Sequence, residues 1–209
     1  THFDEAFLAR GLALANSLIS HDKNAILLIV CHDKKTKDLA NLFKHKNIHI
    51  INLQAVVNEF PVLNEIKNNR SKIEFFWALT PFLVRYCFRK FEADYVAYLD
   101  ADLYFYDSAE KLINDMQDCD VGIVEHRFRH DLQHLLKFGI FNVGIVQFKH
   151  SAGAFRVLDY WESACAESTS SEGTDVVFGD QKYLENFRNF GDISIFSSAG
   201  VNAAVWNCN

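Results

Sequence analysis

The apolar residues of the chain recur at two different spacings, which predicts helices alternating with strands. A spacing of three to four residues predicts helices over residues 4–20, 108–116, 152–166 and 181–187, and another through Leu39, Leu42 and Phe43. Short apolar runs predict strands over residues 25–31, 48–53, 95–99, 121–124, 141–148 and 193–196. Strands separated by helices are typical of an α/β fold with a mostly parallel central sheet and helices on both faces.

A proline interrupts the apolar segment before the strand at residues 95–99. We interpret Thr80 as the N-cap and Pro81 as the first residue of a helix, since these residue types are favoured there. Residues 73–79 are also predicted to be helical, so Pro81 marks a kink or a restart. Residues 63–70 fit either an irregular segment or a helix.

The composition excludes several classes of protein. The chain has 209 residues, which suits one large domain, and 49% of them are hydrophobic. A net charge of -6 argues against a nucleic-acid binder. No apolar run approaches the roughly 20 residues that cross a bilayer. The five cysteines are scattered without metal-ligand spacing, which favours a reducing compartment and a cytoplasmic protein.

Two carboxylates, Asp100 and Asp102, directly follow the buried strand at residues 95–99. Ligands of α/β sheets bind outside the carboxyl ends of the strands. Two like charges at such a position repel, and a bound divalent cation offsets that repulsion. Mg²⁺ or Mn²⁺ suits carboxylate ligands, with phosphate oxygens completing the shell. The alternative is a solvated acidic turn, because a bare D-x-D is common.

The segment YLDADLYFYDS resembles the D-x-D region of GT-A glycosyltransferases, particularly bacterial nucleotide-diphospho-sugar transferases, with a more distant likeness to family 8 retaining enzymes. Further blocks resemble that family in the right order: THFDEAFLARGLALANSL, LIVCHDKK, LTPFLVRY, GIVEHRF, FNVGIVQF, FGDQKYL and GVNAAVWN. The resemblance implies one three-layer GT-A catalytic domain over residues 1–209. It also implies that the first strand of the fold lies before Thr1 and that a C-terminal segment is missing.

The resemblance implies donor-binding roles residue by residue. Asp102 binds the metal, and Asp100 binds the metal or the ribose. Arg85 contacts the diphosphate or sugar of the donor, although a helix-surface arginine is the alternative. Thr1 and Asp33, expected after the first and second strands, face the nucleobase and the ribose.

The resemblance also implies groups around the transferred sugar. Asn142 and Gly144 match an N-x-G element that faces the donor sugar, with a strand bulge as the alternative for Gly144. Asp180 and Gln181 match a catalytic D-Q pair, with a helix N-cap as the alternative for Asp180. His126 is an acceptor-side candidate or a structural histidine.

The function implied is that of a glycosyltransferase; its likeness to family 8 favours retention of the anomeric configuration, with inversion as the alternative. It moves a sugar from a nucleoside-diphosphate sugar, with UDP as the default, to a glycan or lipid-linked acceptor with Mn²⁺ or Mg²⁺. Because acceptors are often lipid-linked, peripheral contact with the inner face of the membrane stays open. Family 8 enzymes complete the metal shell with a later histidine, and this chain has no comparable motif. The alternatives are a non-catalytic nucleotide-sugar-binding module or a D-x-D phosphohydrolase.

Overall fold

A computed structural model describes residues 1–172 and 177–208. Its α-helices are α1 (Leu8–His21), α2 (Lys34–Ala40), α3 (Leu53–Glu59), α4 (Val62–Asn69), α5 (Lys72–Lys90), α6 (Glu110–Met116) and α7 (Ala152–Glu167). Its strands are β1 (His2–Phe3), β2 (Leu27–Cys31), β3 (Ile48–Asn52), β4 (Tyr95–Leu99), β5 (Val121–Glu125), β6 (Phe141–Lys149) and β7 (Ile193–Ile195). Short 3-10 helices cover Glu5–Phe7, His130–Phe138 and Lys182–Asn189.

The strands form two sheets. The first has the order β1-β2-β3, and all its neighbours are parallel. The second has the order β4-β6-β5-β7, in which β6 is antiparallel to β4 and β5, and β7 is parallel to β5. The α/β class is therefore confirmed, while the reversed direction of β6 was not visible in the spacing of apolar residues.

Hydrophobic residues pack on both faces of the second sheet. Val146 and Phe148 of β6 pack in one cluster with Leu79 of α5 and Trp161 of α7. Ile145, which points to the opposite face, joins a second cluster that includes residues of α1, β2 and α6. Helices on both sides of a sheet make the three layers that the sequence predicted.

Helix α5 is continuous through Pro81, so the assignment of Thr80 as an N-cap was wrong. The helix begins at a capping box, in which Glu74 Oε2 accepts from Ser71 N at 3.1 Å. Residues from Phe75 to Tyr86 are mostly buried in the core. This packing outweighs the hydrogen bond that a proline inside a helix removes.

Two other boundaries differ from the prediction. The chain turns into helix α3 directly after β3, because the Asn52 side chain accepts from Gln54 N at 2.8 Å and caps the helix. His2–Phe3, expected after the first strand, form a short strand that pairs with the end of β2, while a strand before Thr1 stays a prediction. Within the described residues, no helix is long and apolar enough to span a membrane.

Candidate functional site

A cavity of about 670 Å³ opens where β1 and β4 end and β6 begins. The two sheets contribute the ends of these strands, and α5 contributes one wall. Five of the residues expected at the site line it: Asp100, Asp102, Asn142, Asp180 and Gln181. These residues come from three separate parts of the sequence, and the topology of the sheet brings them together.

Asp100 is held at the end of β4 by two hydrogen bonds. Its backbone N–H donates to Gly144 O at 2.9 Å, and Tyr98 Oη donates to its carboxylate at 3.0 Å. Burial raises the pKa of Asp100 to about 6; the bond from Tyr98 opposes this shift, and the charge of Asp102 adds to it. Asp102 is exposed at the mouth of the cavity. Both carboxylates therefore line the same opening, but Asp102 is exposed to solvent and Asp100 is shielded from it.

Asp180 lies deeper in the same cavity, with only 5% of its surface exposed. Burial raises its pKa to about 7; a hydrogen bond with Thr80 lowers it, and the charge of Asp100 raises it further. Trp161 Nε1 donates to the backbone carbonyl of Asp180 at 3.0 Å and fixes this turn. The 3-10 helix that follows is not capped by Asp180, since its N-cap position is Gln181.

The Gln181 side chain is anchored at the cavity wall. Its Nε2 donates to Phe138 O at 2.9 Å, which ties it to the 3-10 helix His130–Phe138. The bond leaves the Gln181 carbonyl oxygen as the acceptor of the amide.

A chain of hydrogen bonds fixes the N-x-G element of β6. His126 Nδ1 lies 3.2 Å from Ile140 O, so this nitrogen donates, and His126 Nε2 can accept from Asn142 Nδ2 at 3.3 Å. Asn142 Oδ1 in turn accepts from Gly144 N at 2.8 Å. His126 is buried and stacks on Phe128, so its role is structural: it holds Asn142 in place.

Gly144 is required by its neighbours. A Cβ atom at this position would lie 2.5 Å from Asn142 Oδ1, closer than side chains approach. Gly144 does not line the cavity itself, but it pairs with Asp100 across the sheet. The absence of a side chain at Gly144 leaves room for the amide oxygen of Asn142.

Three residues expected at the donor site are placed elsewhere. Arg85 lies on α5 against α7, where Nε donates to Glu162 Oε1 at 2.9 Å and a terminal nitrogen pairs with Asp159. Its guanidinium is therefore already neutralised outside the cavity. Asp33 caps α2, because its carboxylate accepts from Thr36 N at 2.7 Å.

Thr1 also lies outside the cavity lining. It directly precedes β1, and its amino group donates to Leu28 O at 3.2 Å. The position expected for Thr1 is taken by His2, which does line the cavity. His2 Nδ1 and His32 Nε2 are 2.8 Å apart, and burial lowers the pKa of His32 to about 4. One of these neutral rings donates to the other.

One wall of the cavity was missed in the sequence. It comes from a single face of α5, through the side chains of Lys72, Ile73, Phe76, Trp77 and Thr80. Their spacing of three to four residues is a helical signal. Residues 73–79 were predicted to be helical, but the spacing alone does not show that this face of the helix turns toward the cavity.

The cavity suits a cation only when a ligand supplies part of the shell. Among residues 1–172 and 177–208, no group of three or more His, Cys, Asp or Glu side chains is arranged to hold a metal. Asp100 and Asp102 nevertheless provide the hard oxygen ligands that Mg²⁺ and Mn²⁺ prefer. Mg²⁺ is commonly bound through one or two carboxylates together with substrate phosphates and water. The residues present fit that arrangement.

Solved structures share the fold of the chain. Galactosyltransferase LgtC, in complex with donor and acceptor sugar analogs, aligns with a TM-score of 0.59 and 20% identity over 93% of this chain and 71% of LgtC. A structure of an active-site mutant of LgtC aligns with a TM-score of 0.52 and 18% identity over 93% of this chain and 70% of that one. The likeness establishes a GT-A fold for this chain.

Curated relatives come from Bacillus subtilis (strain 168), whereas no protein-family model matches the chain. The uncharacterized protein YfnF is 30% identical over 211 residues, which cover 96% of this chain and 68% of YfnF. The uncharacterized protein YfnD is 25% identical over 201 residues, which cover 94% of this chain and 64% of YfnD. The chain thus spans about two thirds of each relative. By its identity to YfnF across this length, the chain belongs to the YfnF family.

Proposed function

We propose that the protein is a metal-dependent glycosyltransferase. It transfers a sugar from a nucleoside-diphosphate sugar, with UDP as the default nucleotide, to a glycan or lipid-linked acceptor. The observation that carries the proposal is the meeting of Asp100, Asp102, Asn142, Asp180 and Gln181 on one cavity at the strand ends. The GT-A fold shared with LgtC, which was solved with donor and acceptor sugar analogs, supports the same function.

The charge of the cavity explains why a cation is needed. A nucleoside diphosphate is an anion, and the cavity presents the carboxylates of Asp100, Asp102 and Asp180. Its one cationic lining side chain, among the described residues, is Lys72, which is paired with Asp4. The two sets of negative charge would repel without a bridge. Asp100 and Asp102 would hold Mn²⁺ or Mg²⁺, which when bound neutralises charge that develops on the leaving diphosphate.

The remaining residues would position the donor and the reacting sugar. Tyr98 fixes one carboxylate oxygen of Asp100, so this side chain presents its other oxygen to the ligand. Asn142, held by His126, is oriented before the donor arrives. Asp180 and Gln181 would lie beside the transferred sugar, where a buried carboxylate stabilises positive charge on the anomeric carbon. The likeness to family 8 favours retention at that carbon.

The first test is calorimetry with UDP in the presence and absence of Mn²⁺. The wild type should bind UDP only with Mn²⁺. The Asp102→Ala variant should lose about 100-fold or more in affinity, since it removes a direct ligand of the cation. Asp38→Ala is the matched control, because it removes an exposed aspartate of α2 that does not line the cavity. Equal affinity of wild type and Asp102→Ala for UDP with Mn²⁺ would refute the role of Asp102.

A second test separates an enzyme from a module that only binds the donor. A panel of nucleoside-diphosphate sugars is incubated with the protein and Mn²⁺, and release of the nucleoside diphosphate is followed. A glycosyltransferase should hydrolyse its donor slowly and should stop when Asp102 is replaced by Ala. A protein that binds the donor tightly and releases no diphosphate, with any acceptor supplied, would be a binding module.

A further inference from the structure

Two apolar side chains on the cavity face of α5 lie outside the core. Among the described residues, Ile73 and Trp77 belong to neither hydrophobic cluster, whereas Phe75 is part of the first cluster and Phe76 packs against it. Ile73 is 46% exposed, Trp77 is partly exposed, and both line the cavity. Because they are four residues apart, they are neighbours on one face of the helix. They therefore form an apolar patch that a ligand in the cavity can contact.

The Trp77 ring lies beside the turn that carries Asp180. Gly179 has a φ of 54°, and a Cβ atom at this position would lie 3.2 Å from Cδ2 and Cε3 of Trp77, so the glycine lets the indole approach the turn. Asp180 is the next residue in the chain. Thr80, three residues after Trp77 on α5, forms a hydrogen bond with Asp180. Trp77 thus flanks the carboxylate that the proposed function places beside the transferred sugar.

A second tryptophan at the same turn has a structural role. Trp161 is fully buried, and its Nε1 donates to Asp180 O at 3.0 Å. The turn is therefore already anchored from the core side. Trp77, in contrast, is partly exposed in the cavity. A large aromatic side chain that stays partly exposed beside polar groups is typical of a binding surface.

The polar groups near Trp77 determine which ligand fits this end of the cavity. Asp100, Asp102 and Asp180 line the same cavity and repel an anionic acceptor such as a lipid phosphate. The side-chain oxygen of Gln181 can accept from a hydroxyl, since the nitrogen of this amide already donates to a backbone carbonyl. A sugar ring has C–H groups on its faces, which suit the face of an indole, and hydroxyls around its edge. A neutral sugar therefore matches both the apolar patch and the polar groups.

We propose that Trp77 and Ile73 form the platform for the acceptor, and that the acceptor is a neutral sugar at the end of a glycan. The apolar face of that sugar lies on the indole ring, and one of its hydroxyls points toward Asp180 and Gln181. This inference rests on the proposed function, because it takes Asp180 and Gln181 as neighbours of the transferred sugar. It narrows the accepting group to a sugar hydroxyl and excludes a lipid phosphate.

The test measures binding of sugars to the protein saturated with UDP and Mn²⁺, by saturation-transfer NMR. The probes are lactose, maltose and cellobiose, with farnesyl phosphate as the lipid phosphate. Wild type should bind at least one disaccharide and should not bind farnesyl phosphate at the same concentration. Trp77→Leu should weaken binding of that disaccharide by about 10-fold, because the aromatic face is lost. Trp77→Phe keeps an aromatic ring and should weaken it by about threefold or less.

Two controls separate an acceptor platform from a general effect of the substitution. Tyr106→Leu removes an aromatic side chain that is 84% exposed and does not line the cavity, so it should bind the disaccharide as wild type does. Calorimetry with UDP and Mn²⁺ should give Trp77→Leu an affinity within about twofold of wild type. The melting temperature of Trp77→Leu should stay close to that of wild type, because the ring lies outside both described core clusters.

A disaccharide that binds Trp77→Leu as tightly as wild type would overturn the proposal. Binding of farnesyl phosphate without any disaccharide would also overturn it, in favour of a lipid phosphate. A loss of UDP affinity in Trp77→Leu equal to its loss of sugar affinity would place the ring against the donor instead. If UDP binds with Mn²⁺ and no probe binds, only the inference fails. If UDP does not bind at all, the proposed function fails together with the inference.

Discussion

Two acidic regions of the molecule are built in opposite ways. On α7, Asp159 and Glu162 share the guanidinium of Arg85, which is 14% exposed. In the cavity, Asp100, Asp102 and Asp180 face one another, and no ion pair within the described ranges involves them. The first region carries its own counter-charge. In the second region the only described lysine of the lining, Lys72, pairs with Asp4, which leaves these three carboxylates without a counter-charge and suits the proposed cation site.

The contrast shows how the fold tolerates an acidic cavity. Burial raises the pKa of Asp100 to about 6 and of Asp180 to about 7, so both carboxyls hold protons more readily than they would in water. A bound cation would reverse this preference by favouring the charged forms. The ligand-free cavity therefore carries a penalty at neutral pH that a cation and a diphosphate would remove together.

The largest expected effect comes from Asp180→Asn, which removes a cavity charge while keeping the shape of the side chain. Mn²⁺-dependent release of the nucleoside diphosphate should fall by about 100-fold or more, because a charge placed at the reacting sugar is lost. At pH 8 the free energy of unfolding of the ligand-free variant should rise by about 1 to 3 kcal/mol, since a buried charge is removed. Calorimetric unfolding and a donor-hydrolysis assay measure the two effects. Loss of both stability and activity would contradict a functional role for this carboxylate.

Arg85→Gln removes the positive charge that pairs with Asp159 and Glu162. These carboxylates of α7, like those of the cavity, are then left without a counter-charge. The variant should lose about 1 to 3 kcal/mol of stability, because Glu162 is left partly buried without its partner. Affinity for UDP with Mn²⁺ should stay within about twofold of wild type, because Arg85 does not line the cavity. Arg188→Gln, at an exposed arginine, is the control. A large loss of UDP affinity at unchanged stability would restore Arg85 to the donor site.

The last effect is a dependence of stability on pH. The folded state holds the proton of Asp180 up to about pH 7, whereas the unfolded chain releases it near the ordinary value of 3.8. The contribution of this group is thus fully present below pH 4 and is lost as pH rises to about 7. The stability of Asp180→Asn relative to wild type should therefore increase across this range and level off above it. A constant difference from pH 4 to 8 would show that Asp180 titrates normally.

Strand ends were the part of the site that the sequence could locate. The apolar run before Asp100 and the polar residues after it mark the end of β4, and the three-layer class follows from alternating elements. The partners of Arg85 could not be found in this way. Asp159 and Glu162 are 74 and 77 residues away, and their meeting depends on how α5 packs on α7.

The spacing of residues in the sequence also did not reveal the cavity wall formed by α5 or the conformation of the segment after β7. A helix over residues 73–79 was predicted, but that its face with Phe76 and Trp77 lines the cavity depends on how α5 packs. The block GVNAAVWN, which contains Asn202, resembles a block of the family, but the left-handed backbone of Asn202 appears only in three dimensions.

The central claim is that the acidic pair after β4 holds a cation against a diphosphate. A crystal structure with UDP and Mn²⁺, with data collected at a wavelength where manganese scatters anomalously, tests it most directly. The account predicts an anomalous peak bonded to oxygens of Asp102 and Asp100, with diphosphate oxygens in the same shell. UDP bound elsewhere, or a cavity that holds UDP while no peak lies at these two carboxylates, would contradict it.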